Sequence, residues 1–103
     1  KECNGSMAQF RFSKLKDARF QNCDLREADF YATHLNHVAF RNCDLRGADF
    51  SAAQLTDVDL RGCKIEGMNI SPNAVRGITI EPQQAIHLAR ILGATVSTLK
   101  KQD

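Results

Sequence analysis

Large apolar residues occupy every fifth position over much of the chain: Phe10, Leu15, Phe20, Leu25, Phe30, Leu35, Phe40, Leu45, Phe50, Leu55, Leu60, Ile65 and Ile70. Two residues ahead of each lies a second restricted series: Ala8, Ser13, Ala18, Cys23, Ala28, Thr33, Val38, Cys43, Ala48, Ala53, Val58, Cys63 and Met68. All but the last are small. Apolar spacings of two, then three, then two fit neither a helix of 3.6 residues per turn nor a plain alternating strand. Residues two apart share one side of an extended segment, so the large and small members of each unit face inward together. The other three residues of the unit then turn a corner.

A longer period overlies the five. The phrase "QNCDLREADF" at Gln21–Phe30 returns as "RNCDLRGADF" at Arg41–Phe50, and more weakly as "RGCKIEGMNI" at Arg61–Ile70. Self-similarity at a fixed spacing of 20 is the signature of stacked structural repeats. Four units, each turning through roughly a right angle, close one coil, and each copy of the phrase then sits above the last. Gly47, Gly62, Gly67 and Gly77 fall two residues after a large one, where positive φ is expected. Asp24, Asp29, Asp44, Asp49 and Asp59 fall just before a large residue and are expected to point outward.

Units such as "ADFSA", "CDLRG" and "VDLRG" resemble the pentapeptide repeat family. The resemblance implies an all-β solenoid, a right-handed quadrilateral β-helix. It covers 8–80, preceded by an irregular or truncated entry at 1–7 and followed at 81–103 by a capping helix and tail. After Ile70 the units degrade: Pro72 and Asn73 interrupt the pattern, while Val75 and Ile80 keep the frame. Gly5 occupies a large-residue position, which leaves room for further coil upstream of Lys1.

Cys3, Cys23, Cys43 and Cys63 are each 20 residues apart and belong to one inward series. A straight column does not offer zinc four ligands converging on one point. Distance alone would permit disulfides between neighbours. The favoured reading treats cysteine as a small buried hydrophobe, reduced and inert, in a cytoplasmic protein.

A net charge of +2 gives no argument for nucleic acid, and Lys1–Ile70 carries ten basic and ten acidic residues. Arg26 and Arg46 should stack on one face, and Arg41 and Arg61 on the next, as a candidate binding surface for an acidic partner or as self-neutralised surface charge. A metal or catalytic pair at His34 and His37 would need a third ligand or an orienting carboxylate converging on it. His34 on a face and His37 on a corner are expected to diverge, so His34, His37 and the helical His87 read as solvated histidines. No glycine-rich phosphate loop, nucleophile elbow or HExxH pattern occurs. No catalytic residue, cofactor or metal is expected, and no stretch is long and apolar enough for a membrane span.

From Glu81 the period changes. Pro82 suits the first turn of a helix and Gly93 its end. Ala85, Leu88, Ala89 and Leu92 lie along one stripe, flanked by Ile86 and Ile91. A solenoid needs a terminal cap, and this helix supplies one. The apolar arc is wider than one packing surface requires, so Ile86, Leu88, Ile91 and Leu92 are candidate contacts of a homodimer.

The stretch "EPQQAIHLARILGATV" also resembles the C-terminal segment of quinolone-resistance pentapeptide proteins, through Gln84, Ala85, Leu88, Leu92, Gly93 and Val96. That resemblance implies dimerisation through this end and binding of DNA gyrase or topoisomerase IV by imitation of duplex DNA. A pI near 8.5 departs from the negative surface that such mimicry needs. The function expected is therefore a non-catalytic scaffold, from a bacterium, that binds another protein. The topoisomerase-binding role is the alternative.

Overall fold

The computed structural model describes residues 3–4 and 8–94. The expected entry at 1–7, apart from a short backbone stretch, and the tail beyond Ala94, including Val96, lie outside the described residues.

The chain forms short strands: β1 (Cys3–Asn4), β2 (Lys14–Lys16), β3 (Arg19–Gln21), β4 (Cys23–Asp24), β5 (His34–Arg41), β6 (Asp49–Phe50), β7 (Gln54–Asp59), β8 (Asn69–Ile70) and β9 (Ile78–Thr79). Pairing is parallel and always with the residue 20 further on: Cys3 with Cys23, Lys14 with His34, Phe20 with Phe40, Leu35 with Leu55, Phe50 with Ile70, Val58 with Ile78. β2, β5, β7 and β9 follow one another up one part of the wall, with β3 also on β5. Single bridges Gln9–Asp29, Asp24–Asp44, Asp29–Asp49 and Asp44–Lys64 carry the same offset around the remaining sides. Four pentapeptides per coil, wound right-handed, make the quadrilateral β-helix that the sequence predicts.

The corners differ from expectation in an instructive way. From Phe12 to Gly67 every fifth residue has φ between 52° and 81°, and nine of these twelve are not glycine. Left-handed backbone is therefore imposed by coil closure, at Ala32, Ala52 and Glu27 as much as at Gly47, Gly62 and Gly67. In seven units the carbonyl of the large residue accepts the N–H three residues on, as in Ala28 N to Leu25 O (3.1 Å) and Cys63 N to Leu60 O (3.2 Å). Positive φ at the third residue makes these type II turns.

Gly77 is the exception among the four predicted glycine corners, since it closes a 3₁₀ turn over Pro72–Gly77 and has no positive φ. Its constraint is contact: a Cβ there would overlap the Leu55 carbonyl.

Inside the rod the Phe residues lie in two columns, which pass to Ile70 and Leu60 on the last coil. Phe10, Phe30 and Phe50 stack with ring centroids 4.8 and 4.6 Å apart, and Phe20 stacks on Phe40 at 5.0 Å. The two piles meet edge to face, as at Phe30–Phe40 (5.9 Å, 89°). Leu25, Leu35, Leu45, Leu60 and Ile65 fill the other inward places and are fully buried. Each such side chain contributes about 1.5–3 kcal/mol by leaving water. Phe10, Leu15 and Phe20 are half-buried at the N-terminal end of the described coils, and Leu55 where the 3₁₀ turn replaces the straight side above it. Thr33, the buried polar member of the small series, donates to the Phe30 carbonyl at 2.7 Å.

The last coil is closed by a second 3₁₀ turn (Pro82–Gln84) running into helix α1 (Ala85–Ile91), with Gly93 at φ 96° beyond its end. Glu81 and Gln84 form a reciprocal capping box, in which the Glu81 N–H donates to Gln84 Oε1 at 2.7 Å. The predicted stripe is rotated. Leu88 and Ile91 pack on the core, whereas Ala85 and Leu92 are exposed and Ile86 faces outward. Gln84 sets that rotation by pinning the start of the helix to the coil beneath.

Candidate interaction face

The aspartates placed before large residues do more than point outward. Each carboxylate accepts the backbone N–H two residues on: Arg26 N to Asp24 (3.2 Å), Tyr31 N to Asp29 (2.9 Å), Arg46 N to Asp44 (3.2 Å), Ser51 N to Asp49 (2.9 Å) and Arg61 N to Asp59 (3.0 Å). The side chain thus steadies the corner where the ladder is interrupted.

Where arginine follows at that second position, its guanidinium folds back onto the same carboxylate in a two-pronged clamp. Arg26 Nε and Nη2 meet Asp24 at 2.9 and 2.8 Å. Arg46 meets Asp44 at 2.8 and 2.6 Å, and Arg61 meets Asp59 at 3.0 and 2.7 Å. Arg41, from the coil below, reaches the same Asp59 at 3.2 Å. The arginine ladders are therefore engaged by carboxylates of the protein itself. Their hydrogen bonds hold Asp24 and Asp59 down to about 2, and Asp44 below its ordinary value.

An open groove of about 390 Å³ runs along this face, lined by Asn22, Asn42, Asp24, Asp44, Arg26 and Lys64 with the cysteines beneath. Asn42 Nδ2 donates to Asn22 Oδ1 at 2.7 Å, so one coil's corner is tied to the next. Further round, His37 Nε2 lies 3.3 Å from Asp57, and His87 Nε2 lies 3.7 Å from Glu66 on the last coil. The structure does not bring His34 and His37 together, since His37 occupies a left-handed corner of β5 and His34 starts the strand. Among the described residues no three His, Cys, Asp or Glu side chains converge as metal ligands, and no helix is long and apolar enough to cross a membrane.

The cysteine column departs from the sequence reading. Cys43 and Cys63 are free and buried, but Cys23 is disulfide-bonded. The physical reason lies in the stacking: parallel coils at roughly 4.8 Å bring residues of one column within the Cα separation that a disulfide spans. The column is thus not uniformly reduced. A hydrogen bond from Cys63 lowers the Cys43 thiol to about 7, while the same contact and burial push Cys63 up.

Sequence reasoning gave Gln84 only a place in a resemblance. Its side-chain amide donates to the carbonyls of Leu60 (2.7 Å) and Cys63 (2.8 Å), both on the last coil. An aromatic pair also went unremarked: exposed Phe12 meets Tyr31 edge to face at 5.8 Å, with the Arg11 guanidinium 4.9 Å from the Tyr31 ring centroid. The signal for both was a polar or aromatic residue at a position the five-residue frame leaves free.

The family described as "Pentapeptide repeat region" matches residues 1–87. No curated protein matches the sequence. Among solved structures, the fold is similar to that of a pentapeptide repeat protein from the Arabidopsis thaliana thylakoid lumen. The two share 20% identity over 89% of this chain and 78% of that one, with a TM-score of 0.63. Trypsin-treated QnrB1, a plasmid-mediated fluoroquinolone resistance protein, aligns at 15% identity over 91% of this chain and 95% of that one, with a TM-score of 0.24, too low to carry a likeness of fold.

Proposed function

This chain belongs to the pentapeptide repeat family, and on that premise we propose that it is a non-catalytic scaffold whose flat side binds another protein. The observation that carries the reading is the repeated aspartate–arginine clamp. Asp24–Arg26 and Asp44–Arg46 occupy equivalent places on successive coils, held rigid by two-pronged hydrogen bonds at 2.6–2.9 Å. A rigid surface of alternating charge loses little entropy on association, and it selects partners by matching charge pattern. Cross-linking capture of a partner by the native protein should weaken on Arg26→Glu, Arg46→Glu substitution and survive Lys14→Glu on another face. Equal capture by all three proteins would remove this face from the reading.

The alternative, a DNA-mimicking module that binds a type II topoisomerase and protects it from quinolones, draws on the C-terminal resemblance. The clamps weaken it, because every ladder carboxylate beside Arg26, Arg46 and Arg61 has its charge matched locally. A gyrase supercoiling assay separates the two: unchanged activity and unchanged quinolone sensitivity at high protein excess would end the topoisomerase reading. A homodimer joined through the outward side of α1 accompanies either reading. The expectation of a cytoplasmic setting rested on reduced thiols; the disulfide at Cys23 removes that support and favours an oxidising compartment.

A further inference from the structure

The cysteine column combines a disulfide with free thiols, all in one register. β1 and β4 pair Cys3 with Cys23, and the bridges Asp24–Asp44 and Asp44–Lys64 place Cys43 and Cys63 on the next two coils. Cys23 is disulfide-bonded, while Cys43 and Cys63 are free. The free sulfurs lean the same way, toward the coil beneath. Cys43 Sγ reaches the carbonyl of Phe20 at 3.3 Å, and Cys63 Sγ reaches that of Phe40 at 3.1 Å. Cys43 is therefore aimed from its own coil at the level of the Cys23 disulfide, and Cys63 is aimed at the level of Cys43.

We propose that this column is a relay for thiol–disulfide exchange, in which the bond carried by Cys23 moves inward along the rod. The Cys43 thiolate attacks Cys23 Sγ. A Cys43–Cys23 bond forms as the bond from Cys23 to its present partner breaks, and the partner sulfur leaves with the electron pair and takes up a proton. One disulfide and one thiol are present before and after, so no oxidant or reductant is consumed. Cys63 then stands to Cys43 as Cys43 stood to Cys23, and a second exchange yields a Cys63–Cys43 bond with Cys23 returned as a thiol. The lowered Cys43 thiol favours the attacking form. Burial restricts the exchange to sulfurs of the same column, because both free thiols are closed to solvent. The relay would let a redox event at the outer cysteines be stored inside the solenoid.

Trypsin separates the three sites, since Cys23 leaves in Phe20–Arg26, Cys43 in Asn42–Arg46 and Cys63 in Gly62–Lys64. The native protein is incubated under argon at mildly alkaline pH, quenched with acid, unfolded, blocked with a maleimide and digested for mass spectrometry. The expected result is a population of Phe20–Arg26 linked to Asn42–Arg46, and a smaller one of Asn42–Arg46 linked to Gly62–Lys64. Both are expected at levels independent of protein concentration. Cys63→Ser should abolish the second link and keep the first. Cys43 recovered wholly as the maleimide adduct in the wild-type protein would overturn the relay. So would links that grow with protein concentration, since those join separate chains.

Discussion

Gln84 holds the carbonyl oxygen of Leu60 at 2.7 Å with its side-chain amide, and the same amide nitrogen reaches Cys63 O at 2.8 Å. This buried residue fastens the cap to two carbonyls that the next coil would otherwise have taken. Gln84→Leu keeps the volume, removes both of these bonds while the Leu60 carbonyl keeps its turn bond from the Cys63 N–H, and opens the capping box. The expected loss is about 2–4 kcal/mol in urea unfolding. A midpoint unchanged from the parent would show that the helix docks by apolar contact alone.

Phe40 stacks on Phe20 at 5.0 Å inside the rod, whereas the half-exposed side chain of its neighbour Arg41 projects outside and pairs with Asp59. Phe40→Ala should cost about 3–5 kcal/mol, as deletion of a packed aromatic ring does. Arg41→Ala should cost less than about 1 kcal/mol, the usual worth of a surface ion pair. Equal losses in the two variants would contradict the inward and outward assignment.

The left-handed corners can be relieved. Ala52 sits at φ 59°, and Ala52→Gly is expected to stabilise by about 0.5–1 kcal/mol after the entropy of the added glycine is subtracted. Gly77→Ala is expected to do the reverse, with a loss of about 3 kcal/mol or more, because its Cβ would meet the Leu55 backbone. Thermal midpoints moving in opposite directions check both at once.

Acid should loosen the fold in a defined window. Asp24 and Asp59 titrate at about 2 in the folded chain against an ordinary 3.8, because arginine and backbone hydrogen bonds favour their charged forms. The folded state then binds fewer protons between these values. The stabilisation is complete above 3.8 and is lost as pH falls toward 2. The melting temperature should stay level from neutral pH until it enters that window and then fall, less steeply in Asp59→Asn. An equal slope in that variant would separate the acid response from this clamp.

Dimerisation is the last test. Ile86 is 49% exposed and Leu92 40%, while Leu88 and Ile91 pack on the solenoid. Sedimentation of the native chain should give a dimer, and Ile86→Glu with Leu92→Glu should give a folded monomer. A native chain that remains monomeric at high micromolar concentration would rule the dimer out.

The inward series from Phe10 to Ile70, the coil of 20 residues and the helical cap after Pro82 were legible in the chain, because a solenoid repeats its local interactions and each repeat writes them again. The aspartates were legible as outward residues, although their bonds to the N–H two residues on required coordinates. Three features stayed hidden for a common reason: each depends on distances between coils or between coil and cap, which no local pattern encodes. Coil closure imposes positive φ on Ala32 and Ala52 as firmly as on Gly47. The cap turns Leu88 and Ile91 inward and Leu92 outward because Gln84 finds the Leu60 and Cys63 carbonyls. Spacing placed Cys23 and Cys43 in one column, but which sulfur is bonded and which stays free depends on the packing of successive coils.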